Sequence, residues 1–174
     1  MHQTSYYETI AGLENGSLDI GLIGETDHLS GLTFHPVCKI TDVFVSTGQY
    51  LNTLSLQTSV TDLECITQGT LLLLDKNNIT RQHIDRYLSD HQIFIEHILE
   101  VSTMDLLIDF AKTGLGIACV IKEFVEKELE EGSLVLLPAK EPIPSRQVGY
   151  AFSPKAPLTR SMERFLGGIS ANDD

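Results

Sequence analysis

The chain has 174 residues and a mass of 19.3 kDa, room for one ordinary domain or two small lobes but not for a large multidomain enzyme. Hydrophobic residues make up 42% and charged residues 21%, the balance of a globular protein, which excludes a disordered or fibrous chain. Twelve Lys and Arg against 24 Asp and Glu give a net charge of −12, so contact with a nucleic-acid backbone or an acidic membrane would be repulsive.

In chain order, Ser5-Tyr6-Tyr7-Glu8 is a capping box and predicts a helix from Ser5, with Ile10 and Leu13 on its apolar face and Asn15-Gly16 as its stop. Leu18 to Ile23 reads as a strand, and Phe34 to Ser46 as a further extended segment after a polar loop, Glu25 to Gly31. Thr61-Asp62-Leu63-Glu64 repeats the capping box ahead of a short helix. The unbroken apolar run Leu71 to Leu74 predicts a strand buried on both faces. A polar turn, Asp75 to Asn78, leads to a helix over about Thr80 to Asp90, with Ile84, Tyr87 and Leu88 inward, and Phe94 to Val101 is the next strand.

Ser102 to Asp105 forms a weaker cap for a helix that buries Leu106, Leu107, Phe110 and Ala111 and stops at Gly114. Gly116 to Ile121 is another fully apolar strand. Lys122 to Glu131 reads as an amphipathic helix with Phe124, Val125 and Leu129 inward, ended by Gly132 and followed by an extended Leu134 to Pro138. Pro138, Pro142, Pro144, Pro154 and Pro157 then interrupt regular structure around a late strand, Val148 to Phe152, and Leu158 to Gly168 is a closing helix. Strands that alternate with helices predict an α/β protein with mostly parallel sheets.

Little in this pattern supports catalysis. No spacing of the six histidines places two imidazoles on one helical face, so neither a metal nor a cofactor is expected. Cys38, Cys65 and Cys119 form no CxxC pair and sit among apolar neighbours, which predicts buried free thiols in a reducing compartment. Gly114-Leu115-Gly116 follows a helix and precedes a strand, the reverse of a dinucleotide-binding turn, and reads as a helix stop with close backbone packing. No apolar run approaches the roughly 20 residues of a membrane helix, and no basic-then-apolar leader opens the chain, so a cytoplasmic protein is expected. The more telling feature is that capped helix starts, at Ser5 and Ser102, recur where loops leave strands. Free first-turn amides there attract an anion, and a hydroxyl adds a directional donor. The plainer alternative is that both serines do no more than cap their helices.

Taken together, Glu14 to Leu22, Gly31-Leu32 through Val43 to Ser46, Val60 to Leu63, Glu100-Val101-Ser102, Gly114 to Ala118, Leu134 to Pro138 and Val148-Gly149-Tyr150 resemble the effector-binding domain of LysR-type transcriptional regulators, in order and over almost the whole chain. The resemblance implies a two-lobed, type 2 periplasmic-binding-protein-like fold with mixed, mostly parallel sheets, lobe one over residues 1–46 plus 146–174 and lobe two over 47–145. It further implies a small effector held between the lobes, a homo-oligomer (a dimer, and a tetramer in the full-length regulator), and DNA contact only through an N-terminal helix-turn-helix that this chain lacks. Such domains usually open with a strand, helix and strand ahead of the segment that Met1 to Gly24 resembles, so a shortened first lobe is expected.

Carried over by position, the effector site comprises Gln3, Thr4 and Ser5, then Gly24, Glu25 and Thr26, and from the other lobe Asp75, Asn77 and Asn78 with Ser102, Thr103 and Met104. Small carboxylates, frequent effectors in the family, suit the helix starts. Glu25 and Asp75 argue against a highly charged anion, which leaves an amino-acid-like or singly charged ligand. A stand-alone solute-binding protein and an enzyme on the same fold are the rivals. The first would need an export signal, and the second a convergent acid, base or nucleophile.

Overall fold

A computed structural model describes residues 6–25, 31–57, 64–139, 141–154, 159, 160 and 164. It divides the chain into two compact units, Met1–Lys39 with Arg146–Asp174, and Ile40–Ser145.

In the first unit, helix α1 (Tyr6–Asn15) ends at Gly16, which takes a left-handed φ of +76°, and is followed by β1 (Gly21–Gly24). β1 lies antiparallel to β8 (Arg146–Phe152), in register Gly21 with Ala151 and Gly24 with Val148. β2 (Thr33–Ile40) completes the order β1-β8-β2. β8 passes so close to β2 that a side chain at Gly149 would strike the His35 carbonyl. Leu13, Ile23 and Ala151 form the small core. The capping residue Ser5 and most of the expected closing helix lie outside the described residues, although Arg160 and Arg164 are helical.

The second unit is built on a five-stranded sheet in the order β5-β4-β6-β3-β7: β3 (Asp42–Ser46), β4 (Leu71–Leu74), β5 (Ile98–Val101), β6 (Ile117–Ile121) and β7 (Val135–Leu136). This sheet is mixed, as expected, but not mostly parallel: β4 pairs parallel with β5 and β6, while β3 pairs antiparallel with β6 and β7. Both faces are covered, which is why β4 and β6 are apolar at every position. Leu71, Leu73, Ile117 and Cys119 face a cluster with Ile84, Tyr87 and Leu88 of α4 (Ile79–Asp90). Leu72, Leu74, Ala118 and Val120 face one with Leu107, Ile108 and Ala111 of α5 (Met104–Lys112). Two further helices, α2 (Gly48–Gln57) and α3 (Glu64–Gln68), precede β4, and the expected capping residues of α3, Thr61 to Leu63, lie outside the described residues.

Several expectations need correction. The unit boundary falls between Lys39 and Ile40 rather than after Ser46, because β3 joins the second unit's sheet. β5 begins at Ile98 and not Phe94, since β4 offers partners for four residues; Phe94 is 81% exposed. α5 buries Leu107, Ile108 and Ala111 and leaves Leu106 exposed. The helix expected over Lys122 to Glu131 is a 3-10 turn (Lys122–Phe124) and then α6 (Glu126–Glu131), so Phe124 turns outward while Val125 is buried. Cys119 is buried as expected, but Cys38 is exposed because it lies on the rim strand β2.

Candidate functional site

The parallel register of β4 and β5 sets Leu74 beside Val101, so the loops that follow leave one edge of the sheet side by side. This is the edge, at the carboxyl ends of parallel strands, where open α/β sheets take ligands. Three of the expected site residues, Asp75, Asn77 and Asn78, make the first loop and the adjoining helix start. The Asp75 carboxylate accepts from the Asn77 amide at 2.9 Å, and the Asp75 carbonyl accepts from the Asn78 amide at 3.0 Å. Asn78 is the N-cap of α4, its side-chain oxygen accepting from the Thr80 amide at 2.9 Å. Asn77 is exposed, and Ser102 is exposed in the second loop.

The cap of α5 corrects the sequence reading. Thr103, with an extended backbone, accepts at Oγ1 from the Leu106 amide at 3.4 Å, so Thr103 rather than Ser102 caps this helix. Ser102, one residue before the cap, presents its hydroxyl at the surface beside the first turn. Met104 is half-buried and packs towards the α5 core. In the first unit Gly24 closes β1, and the Glu25 amide donates to the Gln147 carbonyl at 2.8 Å with its side chain exposed. Gln3, Thr4, Ser5 and Thr26 lie outside the described residues.

Beneath these loops sits a group that sequence reasoning missed. Arg81, 3% exposed, donates from Nη1 to the Leu74 carbonyl at 2.8 Å and to Glu100 at 3.0 Å, and from Nε to Asp85 at 2.8 Å. Burial opposes its charge, but the hydrogen bonds to Asp85 and Glu100 outweigh it and hold the guanidinium pKa above its ordinary value. One planar fork thereby ties the end of β4 to β5 and to its own helix. The signal in the sequence was an arginine at the same helical face as Ile84 and Leu88, three and seven residues on, where a solvated side chain does not belong.

The same edge also receives the start of β3, because β3 enters antiparallel. The Lys122 amide donates to the Thr41 carbonyl at 2.8 Å, and the Glu123 carboxylate accepts from the Thr41 amide at 3.1 Å. Among the described residues no group of three His, Cys, Asp or Glu is placed to hold a metal ion, and no helix is long and apolar enough to cross a membrane. The edge offers amides, hydroxyls, carboxamides and the Asp75 and Glu123 carboxylates, groups able to bind and orient a small polar molecule.

Comparison with known proteins gives this geometry a context. The sequence model of the LysR substrate binding domain family matches residues 1–172. The regulatory domain of HypT from Salmonella typhimurium superposes with a TM-score of 0.79 at 19% identity, covering 98% of this chain and 81% of that one. The Synechocystis PCC6803 CcmR regulatory domain in complex with 2-PG gives 0.80 at 16% identity, over 97% and 79%. The effector-binding domain of QuiR in complex with shikimate gives 0.75 at 17%, over 96% and 77%. No curated protein sequence matches the chain.

Proposed function

Because the chain belongs to the LysR substrate binding domain family, with its type 2 periplasmic-binding-protein-like α/β fold, we propose that it senses a small-molecule effector as the regulatory part of a transcriptional regulator. The observation that carries the reading is the pair of capped helix starts at the carboxyl ends of β4 and β5, set side by side by the strand register. Two structurally similar regulatory domains were solved with small molecules, 2-PG and shikimate, which supports a ligand-sensing role. The exposed Asn77 and Ser102 are the contacts assigned to this ligand in the second unit. Asp75 and Asp105 already place negative charge at the two helix starts, so a singly charged or amino-acid-like molecule suits the edge better than a polyanion.

Sensing needs no chemistry. An effector shifts a two-state receptor by its difference in affinity for the states, and a swing from 1:99 to 99:1 takes about 5.5 kcal/mol. In the proposed setting the regulator is cytoplasmic and oligomeric, and DNA is held by a domain outside this chain. A thermal-shift screen of small metabolites against the chain is the direct test, since a ligand of the folded state raises its melting temperature. We expect a hit whose effect falls when Ser102 is replaced by Ala, without loss of the unliganded fold. A full, unchanged response of Ser102→Ala would remove this loop from the site.

A further inference from the structure

Between β7 and the buried Ile143 the chain forms a short strap beside the end of α4. Both ends of the strap are held at the sheet: the Leu137 amide donates to the Phe44 carbonyl at 2.9 Å, and Ile143 is buried in the same cluster as Phe44. Pro138 and Pro142 within it have no amide hydrogen to give to a backbone ladder. Its middle is fastened instead by ring side chains of α4. His83, Tyr87 and the C-cap His91 follow one another at four-residue spacing and so share one face of the helix. The Tyr87 hydroxyl donates to the Glu141 carbonyl at 2.7 Å, and His91 Nε2 lies 3.0 Å from the Glu141 carboxylate. Just beyond the strap, His83 Nε2 lies 3.0 Å from the Pro144 carbonyl.

The two bonds to Glu141 differ in what they need. The Tyr87 hydroxyl keeps its proton throughout the range in which histidine titrates, because burial first, and then Glu141 and Cys119, raise its pKa. At His91 both ring nitrogens face acceptors: Nδ1 lies 2.8 Å from the Tyr87 carbonyl, and Nε2 faces the Glu141 carboxylate. A neutral imidazole has one N–H and must turn a lone pair towards one of these acceptors, whereas the imidazolium satisfies both. The charged groups that act on the ring are Glu141 from the strap and Asp90 from its own helix, both of which favour the cation, and the ring lies against that of Tyr87 with centroids 4.3 Å apart. We propose that residues 138–142 form a proton-gated strap, closed on α4 while His91 is an imidazolium and left to the Tyr87 bond once His91 is neutral. The strap is therefore tightest in mildly acidic solution and loosens as pH rises through the His91 transition. Glu141 is 76% exposed, and pairs with so open a partner shift an equilibrium by no more than about fivefold.

The test is an NMR titration of the whole chain over about pH 5 to 9, which follows the His91 ring together with the backbone signals of Ala139 and residue 141. The backbone signals should move with the same midpoint as the ring, and the open fraction of the strap, read by relaxation dispersion, should rise by up to about fivefold across it. In Glu141→Gln the carboxamide can accept from or donate to Nε2, so the ring should still titrate but the backbone response should vanish. Tyr87→Phe removes the bond that does not depend on the His91 proton and should enlarge the rise. Glu141→Gln changes an exposed side chain and decides the matter by itself if Tyr87→Phe fails to fold. Backbone signals that ignore the His91 midpoint, or that follow it undiminished in Glu141→Gln, overturn the proposal. No ligand enters these measurements, so their failure leaves the effector reading standing.

Discussion

Thr103 and Ser102 are neighbours with the same hydroxyl chemistry but different work. Thr103 satisfies a first-turn amide of α5, whereas Ser102 faces solvent. Thr103→Ala should therefore cost about 1 kcal/mol in urea denaturation, and Ser102→Ala less than about 0.5 kcal/mol. Equal losses would return Ser102 to a capping role. A second residue-scale prediction concerns His91, on which Tyr87 and Glu141 converge. Its pKa is raised first by the hydrogen bond from Nδ1 to the Tyr87 carbonyl, 2.8 Å, and then by Glu141, 3.0 Å from Nε2. The folded state holds this proton more tightly, so the stability it contributes is fully present below the ordinary histidine pKa and is lost as pH rises through the raised value. The melting-temperature gap between the native chain and His91→Gln should be widest in mildly acidic buffer and close as pH climbs. A gap of constant width would count against the contact. Which of two adjacent hydroxyls caps a helix, or which histidine meets a carboxylate 50 residues away, was not legible in the sequence, because the helix's register on the sheet and the fold of a proline-rich segment decide them.

At the scale of elements, strands without alternation were the most legible part of the chain. β4 and β6 are buried at every position, and β4 alternates leucines between two separate clusters. Leu72→Ala should remove about 2–5 kcal/mol, read as a lower urea midpoint at unchanged slope. A loss under about 1 kcal/mol would mean that the cluster around α5 closes over the gap. Ends and phases were harder to read. Phe94 to His97 have a strand-like composition, but strand pairing is a property of neighbours, and β4 supplies four. The 3-10 turn ahead of α6 advances the chain by fewer residues per turn, which rotates Phe124 to 59% exposure and brings Val125 under the sheet. Of the candidate site, the strand-end loops of the second unit were legible from composition. The buried fork of Arg81 beneath them was legible only in its spacing to Ile84 and Leu88, and was missed because a basic residue on a helix reads first as a solvated one.

For the molecule as a whole, the two units are unequally provided with core. Among the described residues the first has Leu13, Ile23 and Ala151 with partly buried neighbours, while the second has two clusters of eleven or more buried side chains. Local opening follows the density of buried apolar contact. Amide hydrogens of β1 and β8 should therefore exchange well before those of β4 and β6 in native-state hydrogen exchange; the reverse order would show that more holds the first unit than its described core.

Among the described residues β2 forms one rim of its sheet and carries Pro36 at its centre. A strand at a sheet's rim can template pairing with another strand, and a proline within it has no amide hydrogen to donate to such a ladder. Cys38, two residues on and exposed, thus stands on a border that resists templated stacking. Replacing Pro36 by Val would restore that donor, and on this argument the variant should aggregate faster on heating than the native chain.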